Sequence, residues 1–326
     1  MTLADIKQAH LALEGYVRPT PLFHSHNIST QSGLPVYFKA ENLQRAGSFK
    51  IRGAFYKMTS LSPDERSRGV IAASAGNHAQ GVALAAQQLG ITSTICMPEG
   101  APITKVTATE SYGAKVVLYG QTYDDAYQKA LELQQAHGYT FIHGFDDPYI
   151  VAGQGTIGLE ILADLPDVAT VFVPIGGGGL VSGVALALKS LKPGVRVIGV
   201  QASGAPAIYL SQRKGELVYT DSVRTIADGI AIKRPGTLNW DLIQQYVDEV
   251  VLVDEEEIAQ SILILLERAK LMVEGAGAVG LAAFLGGKSA HVQGPVCVVL
   301  SGGNIDANVM SRFIERGLVK AGRYVR

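Results

Sequence analysis

Four short strings hold residue types that could do chemistry. Gly176-Gly-Gly-Gly179 lies between a β-branched run and an apolar helical segment that opens at Leu180. Backbone amides and a helix start would converge there, which suits a phosphate. A tight turn without a ligand is the plainer alternative, but one turn has no use for four successive glycines. Ala46-Gly-Ser-Phe-Lys50-Ile-Arg52 puts a lysine in the first turn of a second helical segment. Lysines on amphipathic helices are mostly solvated surface groups. Lys50, however, would face the positive end of the helix dipole with Arg52 close in sequence. Both effects lower its pKa and favour a free amine, a nucleophile toward carbonyls. Ser74-Ala75-Gly76-Asn77-His78 joins another strand-like run to a helix. Its amides and the Ser74 hydroxyl could bind a carboxylate, or Ser74 or Asn77 could simply cap the helix. His78 alone reads as a hydrogen-bonded structural histidine. Ser301-Gly-Gly-Asn304 follows a further apolar run; at the carboxyl end of a parallel strand Ser301 would face a ligand crevice, and a bare strand-to-helix turn is the alternative.

Other chemistries are disfavoured. No Gly-Lys-Ser/Thr follows the glycines, so they are not a Walker loop. The GxGxxG spacing fails at Ser182, and Gln201 stands where a dinucleotide fold wants a ribose-binding acid. His24-Ser-His26 has no third ligand nearby, and Cys96 and Cys297 form no CxxC, so no metal and no disulfide framework is expected. No Gly-x-Ser-x-Gly elbow occurs.

These strings need elements to position them. The 326 residues alternate short β-branched runs with longer amphipathic segments, the signature of βα units and parallel sheets. Strands are expected at 36–40, 69–73, 92–97, 115–118, 170–174, 196–200, 249–253 and 295–300. Helices are expected at 77–89, 123–137, 180–191 and 255–267. A further helix over 48–61 puts Ile51, Phe55 and Met58 on one face, with Ser48 placed to cap it. Hydrophobic residues are 47% and charged residues 17%, which excludes a disordered chain. Lys plus Arg (28) nearly cancel Asp plus Glu (29), so nothing neutralises a nucleic-acid backbone. Residues 168–188 carry no charge and could nominally span a bilayer. Pro174 and the four glycines break that stretch into strand, loop and helix, and the N-terminus has no signal-peptide pattern. A cytoplasmic protein without membrane or nucleic-acid partners is expected.

In this order, the strings resemble those of the fold-type-II pyridoxal phosphate enzymes, in the threonine dehydratase and serine racemase branch. Matching stretches are Glu41–Ala54, Ser74–Gly81, Ala152–Gly158, Pro174–Gly179, Thr225–Gly236, Val273–Gly277 and Ser301–Asn304, and the likeness runs from about Ile6 to Arg326. The resemblance implies an α/β fold like the tryptophan synthase β chain, two open parallel-sheet lobes with the active site between them. It implies a larger domain of residues 1–68 and 148–326, a smaller inserted domain of 69–147, and a homo-oligomer, dimer or tetramer. It further implies that Lys50 binds pyridoxal 5'-phosphate as a Schiff base and serves as base, with Phe49 against the ring and Asn77 on its hydroxyl. Gly176, Gly177, Gly178, Gly179 and Leu180 would cradle the phosphate, Ser301 would face the pyridine nitrogen, and Ser74 to His78 would bind the substrate carboxylate.

The implied activity is an L-threonine ammonia-lyase that also takes L-serine. A dehydratase of another 3-hydroxy amino acid such as 3-hydroxyaspartate, or a serine racemase, is the alternative within the family. A catalytically silent binder of amino acids or nucleotides is the alternative outside enzymes, against which the retained Lys50 argues. Racemases of the branch carry a second serine where this chain has Ala75, and Gln201 and Ala207 occupy places where they often carry metal-binding carboxylates. Gly144 stands where the family usually has proline, close to the expected cleft. The tail Ser311–Arg326 resembles the junction to a regulatory domain in longer relatives; the chain stops there, so insensitivity to isoleucine and valine is expected.

Overall fold

The computed structural model describes residues 1–323; residues 324–326, the end of the expected larger domain and of the tail, lie outside the described residues. Among the described residues ten strands form two sheets. They are β1 (Leu22–His24), β2 (Val36–Ala40), β3 (Val70–Ala73), β4 (Ser93–Met97), β5 (Lys115–Leu118), β6 (Thr140–Phe141), β7 (Thr170–Pro174), β8 (Arg196–Ala202), β9 (Glu249–Val253) and β10 (Val296–Leu300). One sheet runs β1-β2-β10-β7-β8-β9, parallel except for β1, and the other runs β5-β4-β3-β6, all parallel. Every strand expected from the β-branched runs is present; the short β1 and β6 were not foreseen.

Central strands are apolar on both sides because helices cover both faces. Along β7, Val171 and Val173 pack under the helix Gly179–Leu191 through Val181, Val184 and Leu188, while Phe172 points to the other face with Val279 and Leu281 of the helix Gly275–Leu285. The smaller sheet lies wholly within residues 70–141. Its cover includes the helix Asn77–Leu89 and, across it, Ile51, Phe55 and Met58 of the helix Lys50–Thr59. The Lys50 helix thus belongs to the hydrophobic cluster of the smaller sheet, although it precedes residue 69. No helix among the described residues is long and apolar enough to cross a membrane. The uncharged stretch 168–188 is strand, loop and helix.

Two expectations need correction. Ser48 does not cap the helix: it is extended, with φ −162°, and bridges to Gly302, so Phe49 takes the cap position and the helix is Lys50–Thr59 rather than 48–61. The helix expected to run from Glu255 to Glu267 is α-helical only to Ile264; residues Leu265–Ala269 form a π turn ended by Lys270 at φ +59°.

Candidate active site

Register brings the strings together. Ala40 pairs with Leu300, and Val298 pairs with both Phe38 and Phe172, so the carboxyl ends of β2, β10 and β7 lie side by side. From these ends come the Lys50 segment, Ser301–Asn304 and the glycine loop. On the smaller sheet β3 and β6 are neighbours, and their carboxyl ends lead into Ser74–His78 and His143–Asp147. All expected site segments therefore follow carboxyl ends of parallel strands, where an open α/β sheet binds ligands.

The Lys50 segment is stitched to the Ser301 turn: the Phe49 amide donates to the Ser301 carbonyl at 3.2 Å. The Lys50 ammonium nitrogen donates to the Gly144 carbonyl at 2.7 Å and lies 5.3 Å from the centroid of the Phe49 ring. Burial pushes the Lys50 amine down to about 8, against the opposing pull of Glu274. The depressed amine expected from the sequence is present, but its cause is desolvation. Arg52 does not act on it, because its guanidinium is held by Glu41 at 2.8 and 2.9 Å and by Glu160 at 2.6 and 3.0 Å.

Asn77 opens its helix and stands between two partners. Its Nδ2 donates to Glu274 Oε1 at 2.5 Å, and its Oδ1 accepts from Asn304 Nδ2 at 2.9 Å. Asn304 also donates to the Ala46 carbonyl at 2.7 Å, tying the Ser301 turn to the Lys50 segment. Glu274 is buried; desolvation and the nearby Asp228 raise its carboxyl to about 8. Ser74 and Ala75 are half-buried, and the Ser74 hydroxyl accepts from the Gly76 amide at 3.2 Å. The His78 ring is buried and spent on the Ile142 carbonyl at 2.8 Å; burial and Lys50 depress it to about 3, so it is neutral. What His78 adds to the loop is a first-turn amide, not its imidazole.

Gly177, Gly178 and Gly179 leave no room for a side chain. A Cβ on Gly177 would meet the Phe145 ring at 2.3 Å, and Gly178 adopts φ +102°. Among the described residues the amides of Gly176, Gly177 and Gly178 make no hydrogen bond, and the helix that starts at Gly179 adds its positive end. Unpaired amides at a helix start and a buried amine of low pKa, with Ser301 in the adjoining turn, fit the donor set that a phosphorylated pyridine aldehyde requires.

The chain belongs to the pyridoxal-phosphate-dependent enzyme family, whose model matches residues 13–302. Its cofactor is accordingly pyridoxal phosphate. It is 55% identical over 326 residues to an L-threonine ammonia-lyase of Thermotoga maritima, covering 100% of this chain and 81% of that protein. It is 46% identical to the catabolic L-threonine dehydratase TdcB of Escherichia coli K12 over 96% of this chain and 95% of that one. Among solved structures, the maize serine racemase superposes with a TM-score of 0.92 at 35% identity, over 98% of this chain and 99% of the racemase.

Several residues of the site were not assigned a role from sequence. Glu274 lies in a matching string, and a signal was present: it is the one charged residue in the apolar stretch 271–285. The Gly144 carbonyl beside Lys50 had no signal, because a backbone acceptor is invisible in residue types.

Proposed function

We propose that the protein is an L-threonine ammonia-lyase, converting L-threonine to 2-oxobutanoate and ammonia and L-serine to pyruvate and ammonia. The observation that carries this reading is the likeness over nearly the whole chain to an L-threonine ammonia-lyase at 55% identity and a catabolic L-threonine dehydratase at 46%. The arrangement of Lys50, Asn77, Ser301 and the glycine loop supports it. In this reading the free amides of Gly176 to Gly179, with Leu180 behind them, hold the phosphate. Ser301 faces the pyridine nitrogen, Asn77 the ring hydroxyl and Phe49 the ring, and Lys50 bonds the aldehyde carbon. When bound, the cofactor supplies an electron sink for charge that develops at the substrate's Cα.

The chain's own residues do the rest. The amides of Ser74 to His78 and the Ser74 hydroxyl hold the substrate carboxylate and fix which Cα bond faces Lys50. With its pKa near 8, the Lys50 amine is uncharged in an appreciable fraction of molecules at neutral pH, and its nitrogen takes the Cα proton. The Gly144 carbonyl aims that amine at 2.7 Å. That Cα proton and the Cβ hydroxyl together leave as water, and the resulting enamine takes up water after release to give the 2-oxo acid and ammonia. The two sheets serve as two lobes, residues 1–68 with 148–326 and residues 69–147, meeting at this crevice. A homo-oligomer in the cytoplasm completes the reading, and sedimentation of the purified protein tests its quaternary part.

Serine racemase is the neighbouring activity on this scaffold, and Ala75 weighs against it because a methyl group moves no proton. The deciding experiment is a product assay on a panel of 3-hydroxy amino acids with pyridoxal phosphate present. 2-Oxobutanoate from L-threonine is expected; its absence, with 2-oxo acid formed from 3-hydroxyaspartate instead, overturns the assignment.

A further inference from the structure

Asn239 lies outside every string singled out above, yet it is fully buried against the glycine loop. It sits three residues into the helix Thr237–Tyr246, which follows Gly236. A Cβ on Gly178 would touch its Cβ at 2.7 Å. Its Nδ2 donates to two carbonyls at once, Gly177 and Phe145, each at 3.0 Å. Its Oδ1 is buried without a partner. The first carbonyl belongs to the glycine loop on the larger sheet. The second belongs to the turn after β6 on the smaller sheet, and the residue before it, Gly144, is the acceptor of the Lys50 amine. That turn is otherwise fixed by His143 Nδ1, which accepts from the Phe145 and Asp146 amides at 3.2 and 2.8 Å, and by the Asp146 carboxylate, which accepts from the Thr237 amide at 3.1 Å.

We propose that Asn239 is a positioning residue that bolts the phosphate loop to the turn holding Lys50, so that phosphate cradle and lysine are set by one side chain. The proposal rests on the reading of Lys50 and the glycine loop given above. Asn239 touches neither the reacting atoms nor Lys50; it acts through the Gly177 and Phe145 carbonyls. No other side chain among the described residues donates to both carbonyls. The Gly177 carbonyl also accepts from the Gly236 amide at 3.1 Å, so without the Asn239 amide it is the Phe145 carbonyl that is left unpaired; the turn is released from the loop, and water reaches the Lys50 amine.

The test uses apoenzyme with Asn239→Asp, which keeps the shape but not the donor. Asn239→Ala guards against a misfolded aspartate variant, and Asn239→Thr retains one hydroxyl donor. Two quantities are read: the dissociation constant of pyridoxal phosphate, and the pH midpoint of Lys50 labelling followed by peptide mass spectrometry. In the Asp and Ala variants the cofactor is expected to bind at least about tenfold more weakly, the effect of losing roughly one or two neutral hydrogen bonds. The Lys50 midpoint is expected to rise toward the ordinary lysine range, with the threonine variant between. Weaker binding with an unmoved Lys50 midpoint, or no change in either, overturns the coupling. If the wild-type apoenzyme itself fails to capture pyridoxal phosphate on Lys50, the reading of the site falls, and the inference with it.

Discussion

Lys50 shows how a common residue becomes a reactive one. Its amine is taken from water and given one acceptor, the Gly144 carbonyl, so the neutral form is favoured. In the proposed mechanism Lys50→Ala removes both the covalent anchor and the base, while the Phe49–Ser301 backbone bond and the glycine loop stay intact. Turnover is expected to fall on the order of 10³-fold or more, with unchanged circular dichroism and residual non-covalent cofactor binding. Near-normal 2-oxo acid formation by that variant would remove Lys50 from the mechanism. Glu274 is the complementary case, a buried carboxyl raised to about 8 by desolvation and Asp228. A carboxyl whose native pKa lies above its unfolded value binds more protons folded than unfolded between the two values, so its contribution to stability is lost as pH rises from about 4.5 to 8. Glu274→Gln carries no titratable proton there and keeps an acceptor for Asn77. Its thermal midpoint is expected to fall less than that of the wild type between pH 5 and pH 8, in scans of the two apoproteins side by side. Parallel slopes would show that Glu274 is ionised at neutral pH. Lysine and glycines were legible in sequence because their types are unusual in their places; the partners that tune them are ordinary residues or backbone atoms, brought close only by the fold.

Between elements, the strongest polar link lies directly behind the Lys50 helix. Arg52 forks onto Glu41 and Glu160 and reaches Thr156 at 3.1 Å, while fully buried Lys39 pairs with Glu160 at 2.7 Å and donates to the Thr20 carbonyl at 2.6 Å. Burial alone would raise the Glu160 carboxyl, but Arg52 and Lys39 together hold it below the usual carboxylate range. The network joins β2, the Lys50 helix and the helix Pro148–Asp164. Arg52→Met leaves Glu41 without its cation and should cost about 3–5 kcal/mol of unfolding free energy in urea titrations. Arg52→Lys should recover only part of this, because an ammonium lacks the two-sided fork. A loss below about 1 kcal/mol for the methionine variant would mean the ion pairs are energetically idle. From sequence, Arg52 looked like a perturber of Lys50; helical geometry turns it to the opposite side, where it binds carboxylates rather than repelling the amine. Strand positions are readable because strands covered on both faces are short uncharged runs rich in β-branched residues, as at 170–174 and 296–300. The Ser48 cap was misread because Ser48 finds a long-range partner strand position at Gly302, a contact that local propensity does not encode.

At the scale of the molecule, chemistry arises because carboxyl ends of two sheets are brought to one crevice. That convergence was legible only through resemblance, since no change of composition marks the smaller sheet and β2 pairs with a strand from the far end of the chain. In the proposed mechanism the larger sheet brings Ser301 and the glycine loop and the smaller sheet brings Ser74–His78, while Lys50 stands between them, its helix packed into the smaller sheet's cluster and its neighbour Phe49 bonded to Ser301. Elimination needs a base on one face of Cα and an exit for the hydroxyl. Racemisation needs in addition a proton donor on the opposite face. By resemblance to the racemases that donor would be a serine at position 75, and this chain has Ala75, half-buried and packed against the core of the smaller sheet. Ser74 is one residue away, but its hydroxyl already accepts from the Gly76 amide within its own loop. His78 offers no acid either, because its ring stays neutral and donates to the Ile142 carbonyl. L-serine is therefore expected to give pyruvate and ammonia with little D-serine, and D-serine itself to react poorly. Ala75→Ser adds one oxygen at a half-buried position and should raise D-serine formation measurably while elimination continues. Chiral chromatography of timed reaction mixtures reads both products. D-serine appearing as fast as pyruvate in the unaltered enzyme would mean that another group protonates the far face, and an Ala75→Ser variant with no gain would mean that this loop does not present position 75 to Cα.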